Sequence, residues 1–158
     1  MDYKCAARSF GMLDRRTRAY ITLACEKWHI GFSEYVILEN LYGLEGCSQE
    51  ELAGRILSDK TIIARALKTL EEKEFVERRQ DKSDRRMKCI YLTEKARLLE
   101  NEMDRIARTW IDKLAEGVDD VTVEYVLKGL QIVAAQAAAA DLRNIGPSSG
   151  GNGNEKKS

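Results

Sequence analysis

Between positions 61 and 68 the chain sets a hydroxyl and two cations at helical spacing: Thr61, Arg65 and Lys68 stand at i, i+4 and i+7. On a helix these share one face, and Ile63, Leu67 and Leu70, at the same spacing, share a nearly opposite one. One face packs and the other presents donors. A guanidinium can fork onto guanine and a threonine hydroxyl can reach bases or phosphates, so the predicted chemistry is recognition in a major groove. Ile62, near the exposed first turn, either meets a thymine methyl or packs, and its residue type does not decide between the two.

A second cluster follows. From Arg78 to Lys88 the cations Arg78, Arg79, Lys82, Arg85, Arg86 and Lys88 face only Asp81 and Asp84, with Ser83 among them. This local excess suits phosphate anchoring. Arg86 is the predicted minor-groove side chain, and Asp84 its orienting partner through a forked ion pair. A charged hairpin tip is commonly just solvated; its position after two short helices favours the functional reading.

The elements that must hold these residues follow from periodicity and caps. Apolar positions from Phe10 to Trp28 predict a first long amphipathic helix closed by Gly31, and Ser33 is the candidate N-cap of a second that ends at Gly43 to Gly46. Ser48-Gln49-Glu50-Glu51 has the capping-box pattern and opens a third helix stopping near Leu57. Ser58-Asp59 caps a fourth, Lys60 to about Lys73, which carries the donor face. The helix starts at Gln49 and Lys60 offer backbone N–H groups to phosphates, with Ser48, Gln49 and Lys60 placed to assist. Two strands, Phe75 to Arg79 and Lys88 to Leu92, flank the charged loop. Thr93-Glu94 opens a fifth helix running to Gly117, and Asp119 or Asp120 caps a sixth that passes into an alanine-rich stretch. The predicted fold is mainly α with a small β-wing.

The totals exclude much else. With 158 residues, 26 Lys plus Arg and 26 Asp plus Glu, the chain has no general attraction to polyanions, so affinity must be local. Its beginning lacks a signal-peptide pattern and no apolar run is long enough to span a bilayer, so a cytoplasmic protein without membrane partners is expected. Four scattered cysteines and one histidine form neither a zinc nor a dithiol motif. No catalytic triad, phosphate loop or carboxylate cluster with a histidine is present, so neither an enzyme nor a cofactor is expected. A protein-contact module remains the rival, although the basic helix face argues against it.

Ser48 to Ala53, Asp59-Lys60-Thr61, Arg65, Leu70-Glu71-Glu72, Val76-Glu77-Arg78-Arg79 and Asp84-Arg85-Arg86, with Leu92-Thr93 at the right distance, resemble the MarR family of bacterial regulators. The wing pattern D-x-R-x5-L-T is the most specific of these. The resemblance implies a winged helix-turn-helix at 31–93, an N-terminal dimerisation helix at 1–30 and C-terminal dimerisation helices at 94–143, while the Gly-, Ser- and Asn-rich composition from Gly146 predicts a disordered tail at 144–158. The resemblance further implies a homodimer straddling a palindromic double-stranded DNA operator, with repression the more frequent outcome. The last helix supports a dimer independently, since its apolar surface has little else to pack on. Two positions depart from the family: Glu74 replaces a frequent Gly and Ile62 a frequent Thr.

Members of the resembling family respond to small aromatic acids or to thiol oxidation. For an effector the residues to inspect are Trp28, His29, Tyr35 and Trp110, although aromatic residues at helical spacing commonly belong to a core. For oxidation the candidate is Cys5, beside Lys4 and Arg8, whose charges favour a thiolate.

Overall fold

The computed structural model describes residues 2–80, 87–142 and 144. Lys82, Ser83, Asp84, Arg85 and Arg86 of the expected wing tip, and the tail beyond 144, lie outside the described residues.

Helix α1 spans Tyr3–Ala24, starting seven residues before the apolar stripe at Phe10, because Asp2 caps it by accepting from the Cys5 N–H at 3.0 Å. It stops before Trp28. Glu26–Trp28 form a 3₁₀ turn that His29 ends in the left-handed conformation at φ 56°. Helix α2 covers Phe32–Gly43. Its N-cap is Gly31 and not Ser33, since the Glu34 carboxylate bends back to accept from the Gly31 N–H at 3.0 Å.

A two-residue strand that the sequence reading lacks, β1 at Cys47–Ser48, precedes α3, Gln49–Ile56. Here the capping box is complete: Ser48 Oγ accepts from the Glu51 N–H at 3.2 Å and Glu51 Oε2 from the Ser48 N–H at 2.7 Å. Leu57 terminates α3 at φ 55°. Helix α4 runs Lys60–Glu72 from an Asp59 cap whose carboxylate accepts from the Thr61 N–H at 2.7 Å.

Strands β2, Val76–Gln80, and β3, Lys88–Leu92, pair antiparallel, and β3 also pairs with β1, giving the order β1-β3-β2. The expected fifth helix is divided into α5, Glu94–Arg97, and α6, Glu100–Ala115. At the break the Leu99 N–H bonds the Ala96 carbonyl at 2.9 Å, a tightened turn that ends one helix before the next begins. Gly117 takes φ 80°, and α7 follows at Asp120–Ala139, capped by Asp119.

The chain divides into two units, Met1–Glu116 and Gly117–Ser158. In the first, Ile37, Leu38 and Leu41 of α2 meet Leu52 of α3, Ile63, Leu67 and Leu70 of α4, Ile90 and Leu92 of β3, and Met103 of α6 in one apolar cluster. This core holds α4 and the strands at fixed positions. The second unit contains α7, none of whose residues is buried.

Candidate nucleic-acid interface

Helix α4 is amphipathic in fact as in sequence. Ile63, Ala66, Leu67 and Leu70 are buried, while Thr61, Ile62, Arg65 and Lys68 are exposed. Arg65 makes no ion pair among the described residues, and Lys68 stands 3.8 Å from Glu72 with its side chain 76% exposed. The face therefore presents one guanidinium, one ammonium, one hydroxyl and the Ile62 side chain to solvent. Beside it lies a groove of about 310 Å³ lined by Phe32, Ser33, Glu34, Ile62, Arg65 and Thr69 among others.

At the helix starts the expected caps form: at α3 the Glu51 N–H is bonded to Ser48, and at α4 the Thr61 N–H is bonded to Asp59, so each of these donors is satisfied within the chain. The Ser48 N–H donating to Glu51 Oε2, and the Thr61 N–H donating to Asp59, hold these two carboxyls below their usual ranges. Lys60 reaches Glu50 Oε1 at 2.5 Å across the turn between the two helices, and that contact likewise lowers the Glu50 carboxyl. Ser48 is half-buried, Gln49 is half-buried and Lys60 is exposed.

At the wing root, register decides direction. Arg78 pairs with Ile90 and Gln80 with Lys88, so these side chains share the sheet face that continues into the core. Arg78 accordingly sits 3.5 Å from Glu71 of α4 and is drawn toward that helix, while Lys88 is exposed. Arg79, counted from sequence only as one of the loop cations, lies on the other face, exposed, ion-paired with Glu77 and 4.7 Å over the Tyr91 ring. Alternation along Val76-Glu77-Arg78-Arg79 is the signal that separates the two arginines.

A second contact set fixes this root. Glu45 accepts a forked pair from Arg97 and, at 2.9 Å, the Leu92 N–H, so the loop before β1, the end of β3 and α5 converge on one carboxylate. The Arg97 bonds lower the Glu45 pKa. Sequence reading missed this cluster because its members are 47 and 52 positions apart.

The four candidate effector residues have different surroundings. Tyr35 is in the core, where burial and then Glu39 raise its pKa. Trp110 stacks on Tyr20 at 4.9 Å and donates to Thr17 Oγ1 at 2.9 Å. Trp28 lines a recess of about 170 Å³ with Tyr20, Lys27 and Arg105, and His29 is exposed at its turn. Cys5 is an exposed thiol, whereas burial holds Cys25 at about 11. Among the described residues no group of three His, Cys, Asp or Glu could hold a metal, and no helix is long and apolar enough to cross a membrane.

An amphipathic helix packed across a shorter one, followed by an antiparallel hairpin, defines a winged helix-turn-helix protein. The family model described as "MarR family" matches residues 32–88. A MarR transcriptional regulator from Methanosarcina mazei Go1 superimposes with a TM-score of 0.81 at 30% identity, covering 86% of this chain and 98% of that one. The chain belongs to the MarR family.

Among curated relatives, the HTH-type transcriptional regulator TtmR of Methylorubrum extorquens (strain PA1) is 34% identical over 104 residues, which is 66% of this chain and 50% of that protein. The chain spans about half the length of the curated relatives it matches. FabT of Streptococcus pneumoniae, solved in complex with DNA, shares the fold at 17% identity and a TM-score of 0.74, covering 87% of this chain and 99% of that one.

Proposed function

We propose that this chain is a transcriptional regulator that binds double-stranded DNA sequence-selectively as a homodimer on a palindromic operator, with repression as its output. The observation that carries the reading is the solvent-facing side of α4, where Thr61, Arg65 and Lys68 stand exposed above a fully packed apolar face. Thr61, Ile62, Arg65 and Lys68 enter the major groove, and Ser48, Gln49, Lys60 and Lys88 lie along the phosphates. Arg78 orients α4 through Glu71 and adds positive potential. Lys82, Ser83, Asp84, Arg85 and Arg86 complete the interface on the sequence argument, with Arg86 in the minor groove.

Residues 31–93 form the DNA-binding region, and 1–30 with 94–143 the dimerisation helices. The exposed apolar residues Val126, Leu130 and Val133 of α7, and Phe10, Met12 and Leu13 of α1, supply apolar surface for a second copy. A small aromatic ligand or oxidation of Cys5 releases the DNA.

Selection of duplexes from a random-sequence library, followed by mobility shift at increasing salt, tests the reading. An enriched motif with inverted symmetry, bound less tightly as salt rises, supports it. Arg65→Ala is expected to weaken binding to that motif by roughly 1–3 kcal/mol and to relax selectivity. No enrichment, or binding indifferent to salt, overturns it.

A further inference from the structure

The donor face of α4 is useful only if the helix is held in register, and its C-terminal end is held by a polar contact that no motif marks. Lys73, which caps α4, sends its ammonium to two acceptors on another part of the chain: the carbonyl of His29 and Glu34 Oε2, the latter at 2.8 Å. The same Glu34 oxygen accepts from the Gly31 N–H at 3.0 Å, closing the start of α2. The Lys73 carbonyl in turn accepts from Lys95 of α5 at 2.7 Å. The turn after α1, the first turn of α2, the end of α4 and α5 thus converge on one residue.

The pair is sheltered. The Lys73 side chain is 28% exposed and that of Glu34 13%. Salt screens such a pair less than the surface pairs elsewhere on the chain, and removing one partner leaves the other charge poorly solvated. Apolar packing of Ile63, Leu67 and Leu70 is non-directional and sets how close α4 lies to α2. The ammonium, bonded to two fixed acceptors, sets where the helix sits along and about its own axis. Arg65 lies roughly 12 Å up that axis at the rise of an α-helix, so a slip at Lys73 moves the guanidinium by the same amount.

We propose that Lys73 and Glu34 are positioning residues for the α4 face, coupling its setting to the corner between α1 and α2 without touching DNA. This rests on the DNA-binding reading above. The His29 turn makes the coupling possible, because its left-handed backbone at φ 56° ends the 3₁₀ turn beside the end of α4, where the carbonyl meets Lys73.

The test uses the full chain, Lys73→Met, Glu34→Gln and the double variant, with two duplexes: one enriched by the wild type from a random library, and a scrambled duplex of equal length. Glu34→Gln removes the charge while keeping an acceptor for the Gly31 N–H. Affinity for the enriched duplex is expected to fall about tenfold in each single variant, with the double variant no worse than either. Affinity for the scrambled duplex and the slope of log affinity against log salt should stay as in the wild type.

Equal loss on both duplexes with a shallower slope would make Lys73 a phosphate contact and overturn the proposal, as would unchanged selectivity. If Lys73→Met loses its helical circular dichroism, Glu34→Gln decides by the same criteria. A wild type that enriches no duplex overturns the DNA-binding reading and this inference together, whereas an enriched duplex that all variants bind equally removes only the inference.

Discussion

Helices α4 and α7 are both rich in apolar residues, yet they end in opposite circumstances. Along α4, apolar side chains alternate with polar ones at helical spacing, and four of its residues are buried. Along α7 the apolar residues are more numerous and occupy more than one side, and none is buried. Val121, Tyr125, Val126, Leu130, Ile132 and Val133 are all largely exposed. Burial thus follows from having a partner surface, not from apolar content. Helix α4 has α2 and α3 for its apolar face, so what remains outward is a legible set of donors. In the proposed homodimer a second copy supplies the surface for α7.

The sharpest way to break the contrast is to remove a large side chain from each helix. Leu67→Ala empties a fully buried site and is expected to lower unfolding stability by about 2–5 kcal/mol in denaturant melts. A loss near that of a surface substitution would mean that α4 is not anchored as described. On α7, Leu130→Asp changes an exposed position and is expected to weaken self-association by roughly 100-fold in sedimentation equilibrium. A variant that keeps the wild-type mass distribution would exclude this face as the dimer surface.

A smaller effect sharpens the same contrast through charge. Glu124 of α7 is exposed with Lys128 at 2.5 Å, whereas Glu39 of α2 is half-buried. Burial, then Asp104, then Glu100, raise the Glu39 pKa above its usual value. The sign follows directly: a raised folded pKa favours the protonated fold, so this stability is complete below the ordinary glutamate range and is lost as pH rises through the raised value. Glu39→Gln stays neutral and is expected to gain stability over the wild type across that interval, as read by thermal melts at a series of pH values. A difference that is flat with pH would place Glu39 in solvent.

How much of this was legible in the sequence depends on the range of the interaction concerned. Ser48 and Asp59 announce α3 and α4 because a cap acts on N–H groups two or three residues away. Ile63, Leu67 and Leu70 announce the packed face because periodicity is local. The two-residue β1 carries no pattern of its own and exists through pairing with Ile90 and Cys89 of β3. Ser33 looked like a cap because hydroxyls commonly serve as one, but the Glu34 carboxylate is the group that reaches Gly31. Arg78 and Arg79 are alike in type, and only the strand register sends one toward Glu71 and the other over Tyr91. Lys73 with Glu34 and Glu45 with Arg97 join segments 39 and 52 positions apart, a separation that leaves no trace in spacing.

The ends of the two helices give the finest test. Helix α7 ends at Ala140 with an extended backbone, φ −73° and ψ 129°, which any residue adopts. Helix α4 ends in a tight reversal: the Phe75 N–H bonds the Leu70 carbonyl at 2.9 Å and the Glu74 N–H bonds that of Glu71 at 3.0 Å. That bond pattern requires a left-handed residue between helix and strand, and Glu74 supplies it at φ 60°. A side chain there crowds its own carbonyl, so the family's frequent glycine fits at lower cost than the glutamate. Glu74→Gly is therefore expected to stabilise the fold by about 0.5–1 kcal/mol, the glycine's larger unfolded-state entropy offsetting part of the relieved strain. The gain should appear as a higher denaturant midpoint at unchanged slope. An equal gain from Ala140→Gly, where no reversal exists, would show that the effect has nothing to do with the left-handed turn that aims β2 away from α4.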